Sequence, residues 1–181
     1  MPRCIAFLRA VNVGGRTVKM DALRASFEAL GLARVETFIA SGNVIFETKA
    51  RDLTALERKI EAHLHAAFDF EIHTFIRTSA ELAAIARHRA FDAADEAGAG
   101  AFVVGFLAAA PDTAALRTIA GFNTATDRFH AQGSELYWLS RVTQSESRFS
   151  NALFERSLRM RATLRNMSTL RKLAAKHAAD A

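Results

Sequence analysis

The chain has 181 residues and a mass of 19.8 kDa, is 50 % hydrophobic and 24 % charged, and so has a globular rather than a disordered composition. No apolar run is long enough to span a bilayer and the N-terminus carries no secretion-signal pattern, so the reading is a cytoplasmic protein with no membrane contact. Its formal charge of +5 suits an anionic partner, and a single cysteine, Cys4, excludes an internal disulfide and reads as a small core hydrophobe.

Residues 4–8 (Cys-Ile-Ala-Phe-Leu) read as a buried strand, followed by the loop Asn12-Val-Gly14-Gly15. Met20, Leu23, Phe27 and Leu30 recur at helical spacing, and Gly31 supplies the stop. Val35 to Ala40 and Val44 to Glu47 form two strands around the turn Ser41-Gly42-Asn43. Leu53, Leu56, Ile60, Leu64 and Ala67 mark a second amphipathic helix, and Glu71 to Arg77 a fourth strand. This is a β-α-β-β-α-β, ferredoxin-like order. Thr78-Ser-Ala-Glu81 is a capping box that opens a short helix, and Asp92 to Gly100 reads as a loop.

The order then begins again. Phe102 to Leu107 is a strand, Pro111-Asp112 opens a helix through Leu116 and Ile119, and Arg128 to Ala131 pairs with Glu135 to Leu139 around Gln132-Gly133. Tyr137 and Trp138 are strand neighbours, so one of them is expected to face inward. A helix starting near Ser150 buries Leu153, Phe154 and Leu158, and a last helix buries Met167, Leu170, Leu173 and Ala174. No closing strand is expected between them. The fold class is therefore α+β, in two topologically related ferredoxin-like β-α-β-β-α(-β) halves, the second ending in helices. Its expected parts are a subdomain over 1–78, a helix and connecting loop over 79–100, and a second α+β subdomain with basic C-terminal helices over 101–181.

Residues 141–177 hold nine Lys or Arg against Glu146 and Glu155, a local +7 that leaves −2 elsewhere. Within them lie two polar clusters. Asn166 reads as a helix N-cap with Thr169 at the third helical position, which sets Thr163 and Arg165 beside the free N–H groups of a first turn. Lys172 continues the stripe of Asn166 and Thr169, and Arg165 has the fork that grips carboxylate or phosphate. Ser147, Arg148 and Asn151 open the preceding helix, with Ser147 and Asn151 close to one turn apart. In the first half, Arg9, Asn12, Gly14 and Gly15 form a strand-to-helix loop able to wrap an oxyanion, though it matches neither a Walker A nor a dinucleotide motif. Ser41 and Asn43 flank Gly42 in the hairpin. Capping, turn formation and solvated charge account for these residues equally well one at a time. No serine has a local His or Asp partner, the six histidines lack metal-ligand spacing, and no cofactor motif is present.

Taken together, Ala6-Phe-Leu-Arg9-Ala-Val-Asn12-Val-Gly14-Gly15, Phe38-Ile-Ala-Ser41-Gly42-Asn43-Val44, Ser147-Arg148-Phe with Asn151 to Glu155, and Thr163-Leu-Arg165-Asn166 through Lys172 resemble the bacterial domain-of-unknown-function family 1697 over essentially the whole chain. The resemblance implies an α+β fold of related units and carries no established activity, cofactor or partner. Ala10 stands where that family typically has Gly, and Met167 and Ser168 where it has Trp and Asn. Polar motifs at both ends of the chain suggest a shared site. The function expected is binding of a phosphate-bearing ligand, nucleic acid or nucleotide, through the basic C-terminal segment. The alternatives are a small enzyme acting on an anionic metabolite, for which no base or nucleophile stands out, and a purely structural role for the polar motifs.

Overall fold

A computed structural model describes residues 1–39 and 42–177. It divides into two compact units, Met1–Ile85 together with the chain from Leu173, and Ala86–Lys172. The first unit runs β1 (Arg3–Leu8), α1 (Met20–Ala29), β2 (Ala33–Phe38), β3 (Asn43–Glu47), α2 (Leu53–Phe68), β4 (Thr74–Thr78) and the start of α3 (Ser79–Arg87). Its antiparallel sheet has the order β2-β3-β1-β4. Leu23 and Phe27 on α1 and Leu56, Ile60 and Leu64 on α2 pack onto the face that carries Cys4, Ala6, Leu8, Val44 and Phe46. Asp52 caps α2 by accepting from the Ala55 N–H at 2.9 Å.

The second unit runs α4 (Ala93–Ala97), β5 (Ala101–Leu107), α5 (Thr113–Ala120), β6 (Asp127–Gln132), β7 (Glu135–Ser140), α6 (Asn151–Leu158), β8 (Ala162–Asn166) and the start of α7 (Met167–His177). Its sheet order, β6-β7-β5-β8, is the same permutation as the first. Asp112 and Ser150 cap α5 and α6 through the N–H groups of Ala115 and Leu153, at 2.8 and 3.1 Å.

Three sequence expectations need correction. The second half does have its closing strand: β8 pairs antiparallel with β5 through five residues. It escapes the pattern because Arg165 sits in it as a buried residue, leaving only a short apolar signal. Within the stretch Asp92 to Gly100, α4 forms one helical turn behind Asp92 in place of a plain loop. Tyr137 and Trp138 are both buried, each 1 % exposed, because both faces of this sheet are covered at β7. Trp138 packs with Phe129 and Phe149 on one face, and Tyr137 lies against His88, with ring centroids 4.7 Å apart, on the other.

The registers allow the units to be compared position by position. Phe7 faces Asn43 as Phe106 faces Glu135, and Leu8 faces Thr74 as Leu107 faces Ala162. The same backbone bonds recur: Leu8 N–H donates to Gly42 O at 2.8 Å and Leu107 N–H to Ser134 O at 2.9 Å. Arg9 N–H donates to His73 O at 2.8 Å and Ala108 N–H to Arg161 O at 3.1 Å. On this frame Arg77 corresponds to Arg165, Phe46 to Trp138 and Glu36 to His130.

Candidate functional site

In the first unit the polar motif residues turn their side chains on the backbone. Asn12, at φ 56°, accepts from the Val18 N–H through Oδ1 at 2.8 Å and folds the loop after β1 back on itself. Gly14 and Gly15 carry the chain through φ 60° and 80° at the exposed tip, a region costly for other residues. Arg9 is half-buried at the end of β1. Asn43 is fully buried, and its Nδ2 donates to Phe38 O at 3.1 Å across the hairpin. Gly42 is required there: at φ 73°, an added Cβ would lie 3.2 Å from the Cβ atoms of Leu8 and Val11. Ser41 lies outside the described residues.

In the second unit Ser147 and Asn151 are not brought to one spot. Ser147 Oγ donates to Asp127 at 2.9 Å and accepts from the Phe149 N–H at 3.0 Å. Asp127, only 3 % exposed, also accepts from Trp138 Nε1 at 2.8 Å and Thr126 Oγ1 at 2.9 Å. Burial raises its pKa, and the converging donors, led by Trp138, more than reverse this and hold the carboxyl below its ordinary value. The sequence reading missed this hub. A single tryptophan in an apolar strand, whose indole N–H needs an acceptor once buried, is the signal that could have found it. Arg148, beside it, is exposed.

Asn151 and Glu155 share one face of α6 and clamp the edge strand β8. Asn151 Nδ2 donates to Ala162 O at 3.0 Å, and Glu155 Oε1 accepts from the Ala162 N–H at 2.9 Å. The first unit carries the same device on α2, also with a spacing of four. Glu57 accepts from the Ile76 N–H at 2.7 Å and Glu61 from the Thr74 N–H at 2.8 Å, both on the edge strand β4. Edge strands expose unpaired backbone groups, and these side chains satisfy them.

Arg165 is a strand residue, 9 % exposed, and so does not flank a helix turn from a loop. Its Nη1 donates to Thr163 Oγ1 at 2.9 Å and to Leu164 O at 2.8 Å, and burial pushes its pKa down to about 10, which still leaves it charged at neutral pH. Thr163 is itself buried. Arg77 repeats the backbone bond in the first unit, donating to Ile76 O at 2.8 Å.

Asn166 is exposed and directly precedes α7, which makes Thr169 the third helical residue. The corresponding pair in the first unit is Thr78 and Glu81. There the Glu81 carboxylate accepts from the Thr78 N–H at 2.8 Å and from Thr78 Oγ1 at 2.9 Å, while the Glu81 N–H donates to Thr78 Oγ1 at 3.2 Å. This is the capping box expected from sequence, with an internal anion at the helix start. Thr169 has no carboxylate to offer. The start of α7 opens instead on a concavity of about 420 Å³ lined by Gln144, Asn166, Ser168, Arg171, Phe102 and Glu96. Arg171 Nη2 donates to Glu96 at 2.9 Å, and its guanidinium lies 5.7 Å from the Phe102 ring centroid. Lys172 is exposed one residue further on. A larger concavity in the first unit, about 660 Å³ against Leu30, Leu32, Ala50 and Leu56, contains none of the motif residues.

Two antiparallel four-stranded sheets of one permutation, each with its helices, define an α+β protein of two ferredoxin-like halves. The chain belongs to the family described as protein of unknown function (DUF1697), whose model matches residues 1–137. The fold is also that of a conserved bacterial protein, SP0830, from Streptococcus pneumoniae. That likeness has a TM-score of 0.76 at 21 % identity, covering 97 % of this chain and 98 % of that one. No curated protein matches the chain. Among the described residues, no helix is long and apolar enough to cross a membrane.

Proposed function

We propose that the protein binds a phosphate-bearing ligand, a nucleotide or single-stranded nucleic acid, at the start of α7. The observation that carries this reading is the exchange of Glu81 for Thr169 at matching positions. One helix start is closed by its own carboxylate, and the other lacks one and faces a polar concavity. A phosphate oxygen there meets free first-turn N–H groups and the favourable end of the helix dipole. Asn166 and Ser168 supply side-chain donors, and Arg171 swings from Glu96 to the ligand. Lys172 and Arg148 add exposed positive charge in the same unit. Arg165, buried in β8, contributes field and not contact.

The test is Thr169→Glu, which installs the carboxylate of the first unit. Amide shifts of Ser168 and Thr169 on titration with a nucleoside 5′-monophosphate are expected in the wild type and absent in the variant. The variant is expected to be more stable by about 0.5–1 kcal/mol through its new capping box. Amides that do not move in the wild type would end the proposal.

A second reading has its own support. Asn12, Asn43, Ser147 and Asn151 each hold a turn, a loop or an edge strand, so for these the structural role is the better account.

A further inference from the structure

The concavity at the start of α7 does not end at the Arg171–Glu96 pair. On its far side the same two residues, with Arg87, His88, Arg89 and Phe91, line a second cavity of about 170 Å³. Arg87 and Arg89 are exposed, and among the described residues neither is paired with a carboxylate. Three guanidiniums thus face one carboxylate, Glu96, which is already engaged by Arg171. Surface arginines normally spread apart or pair with acids, because like charges brought together repel. A chain that gathers them around a small recess has a place for an anion.

Between the two recesses lies an aromatic floor. Phe102 lines the first and Phe91 the second, and the two rings meet edge to face with centroids 5.7 Å apart. Phe102 is only half-buried, so part of its ring is open to a ligand. Charge, aromatic ring and charge in sequence match a single strand, in which phosphates alternate with flat bases.

We infer that the ligand of this unit is a single-stranded oligonucleotide, with one phosphate at the start of α7 and the next in the Arg87–Arg89 recess, and with Arg171 between them. This rests on the reading of the α7 site given above and adds a second subsite to it. Arg171 then acts as the shared contact, leaving Glu96 when the strand arrives. A duplex, whose bases are stacked away, gains nothing from the aromatic floor and binds more weakly.

The experiment is fluorescence anisotropy with a labelled oligothymidylate at several salt concentrations, run beside amide-shift titration with thymidine 5′-monophosphate. Arg87→Ala/Arg89→Ala, two exposed positions, is expected to weaken the oligonucleotide about tenfold or more. It should also flatten the log–log salt dependence by about 1.4, since each phosphate contact on a single strand contributes about 0.7. Its mononucleotide binding should be unchanged. Thr169→Glu should remove both. An oligonucleotide affinity and salt slope untouched by the double variant, with mononucleotide shifts still present at α7, would overturn the second subsite and leave the first standing. Absence of both ligands from the wild type would remove the α7 reading and the inference with it.

Discussion

The two units solve one folding problem with the same strand permutation and matching registers, and they differ where their side chains are not needed for the fold. Each pins its edge strand with two polar residues four apart on the preceding helix, Glu57 and Glu61 in one, Asn151 and Glu155 in the other. Each sets an arginine, Arg77 or Arg165, one residue before the end of its closing strand and bonds it to the neighbouring carbonyl. The units part company at the helix that follows. Glu81 closes α3 and Thr169 leaves α7 open. Agreement between the units marks scaffold, and disagreement marks the candidate site.

The largest difference inside the cores is Phe46 against Trp138 at matching positions. Phenylalanine needs no acceptor, whereas a buried indole N–H does, and Asp127 is in place for it. Asp127→Ala strands the donors of Trp138, Ser147 and Thr126 and is expected to destabilise the second unit by about 3 kcal/mol. Chemical unfolding followed by the fluorescence of Trp138, the one tryptophan, measures it. A loss under about 1 kcal/mol would show that water replaces the carboxylate and that the hub is dispensable.

The matched clamps make a sharper test because they should behave alike. Glu61→Ala and Glu155→Ala each leave an edge-strand N–H without its acceptor, at an expected cost of about 1–2 kcal/mol. Hydrogen exchange at Thr74 and Ala162 should quicken in the respective variants and not in the other. Equal protection in wild type and variant would mean that the clamps do not hold the edges.

Much of this was legible in the chain. Apolar spacing, the Thr78–Glu81 box and the Gly42 and Gly133 turns locate nearly every element, since each signal is local. β8 was not, because a strand of five with a buried arginine in it does not read as apolar. The candidate site was legible as residue types and not as roles. Ser147 and Asn151 look like ligand donors until their partners, Asp127 and Ala162 O, arrive from 20 and 11 residues away. The contrast of Glu81 with Thr169 becomes visible only when the registers align the halves, and the recess at Arg87 only when α4 brings Glu96 to Arg171.

The loops after the first strands differ as well. In the first unit the connection passes through positive φ at Ala10, Asn12, Gly14 and Gly15, and residues 108–112 of the second have none. Ala10, at φ 66°, bears a Cβ where left-handed backbone disfavours one. Ala10→Gly relieves that strain at some cost in unfolded-state entropy, for an expected net gain of about 0.5–1 kcal/mol. A lowered thermal midpoint would show that the loop is not strained at that position.

The smallest effect separates the units by pH. Glu36 and His130 occupy matching positions on β2 and β6. The hydrogen bond from Lys176, 2.9 Å away, holds the Glu36 carboxyl below its ordinary value, so what it contributes is present at neutral pH and fades only in acid below the carboxylate range. His130 is lowered from 6.5, first by burial and then by the charge of His88, whose ring stacks 5.4 Å away. A histidine lowered in the fold favours the folded state above its unfolded value, and that contribution shrinks as the pH falls through 6.5 toward the lowered value. Between pH 7 and pH 5, therefore, the second unit should lose stability before the first. His130→Gln should flatten that fall without changing the behaviour of the first unit, read as amide exchange in β6 and β2. If both strands loosen together at every pH, the units unfold as one and the titration of His130 does not single out the second.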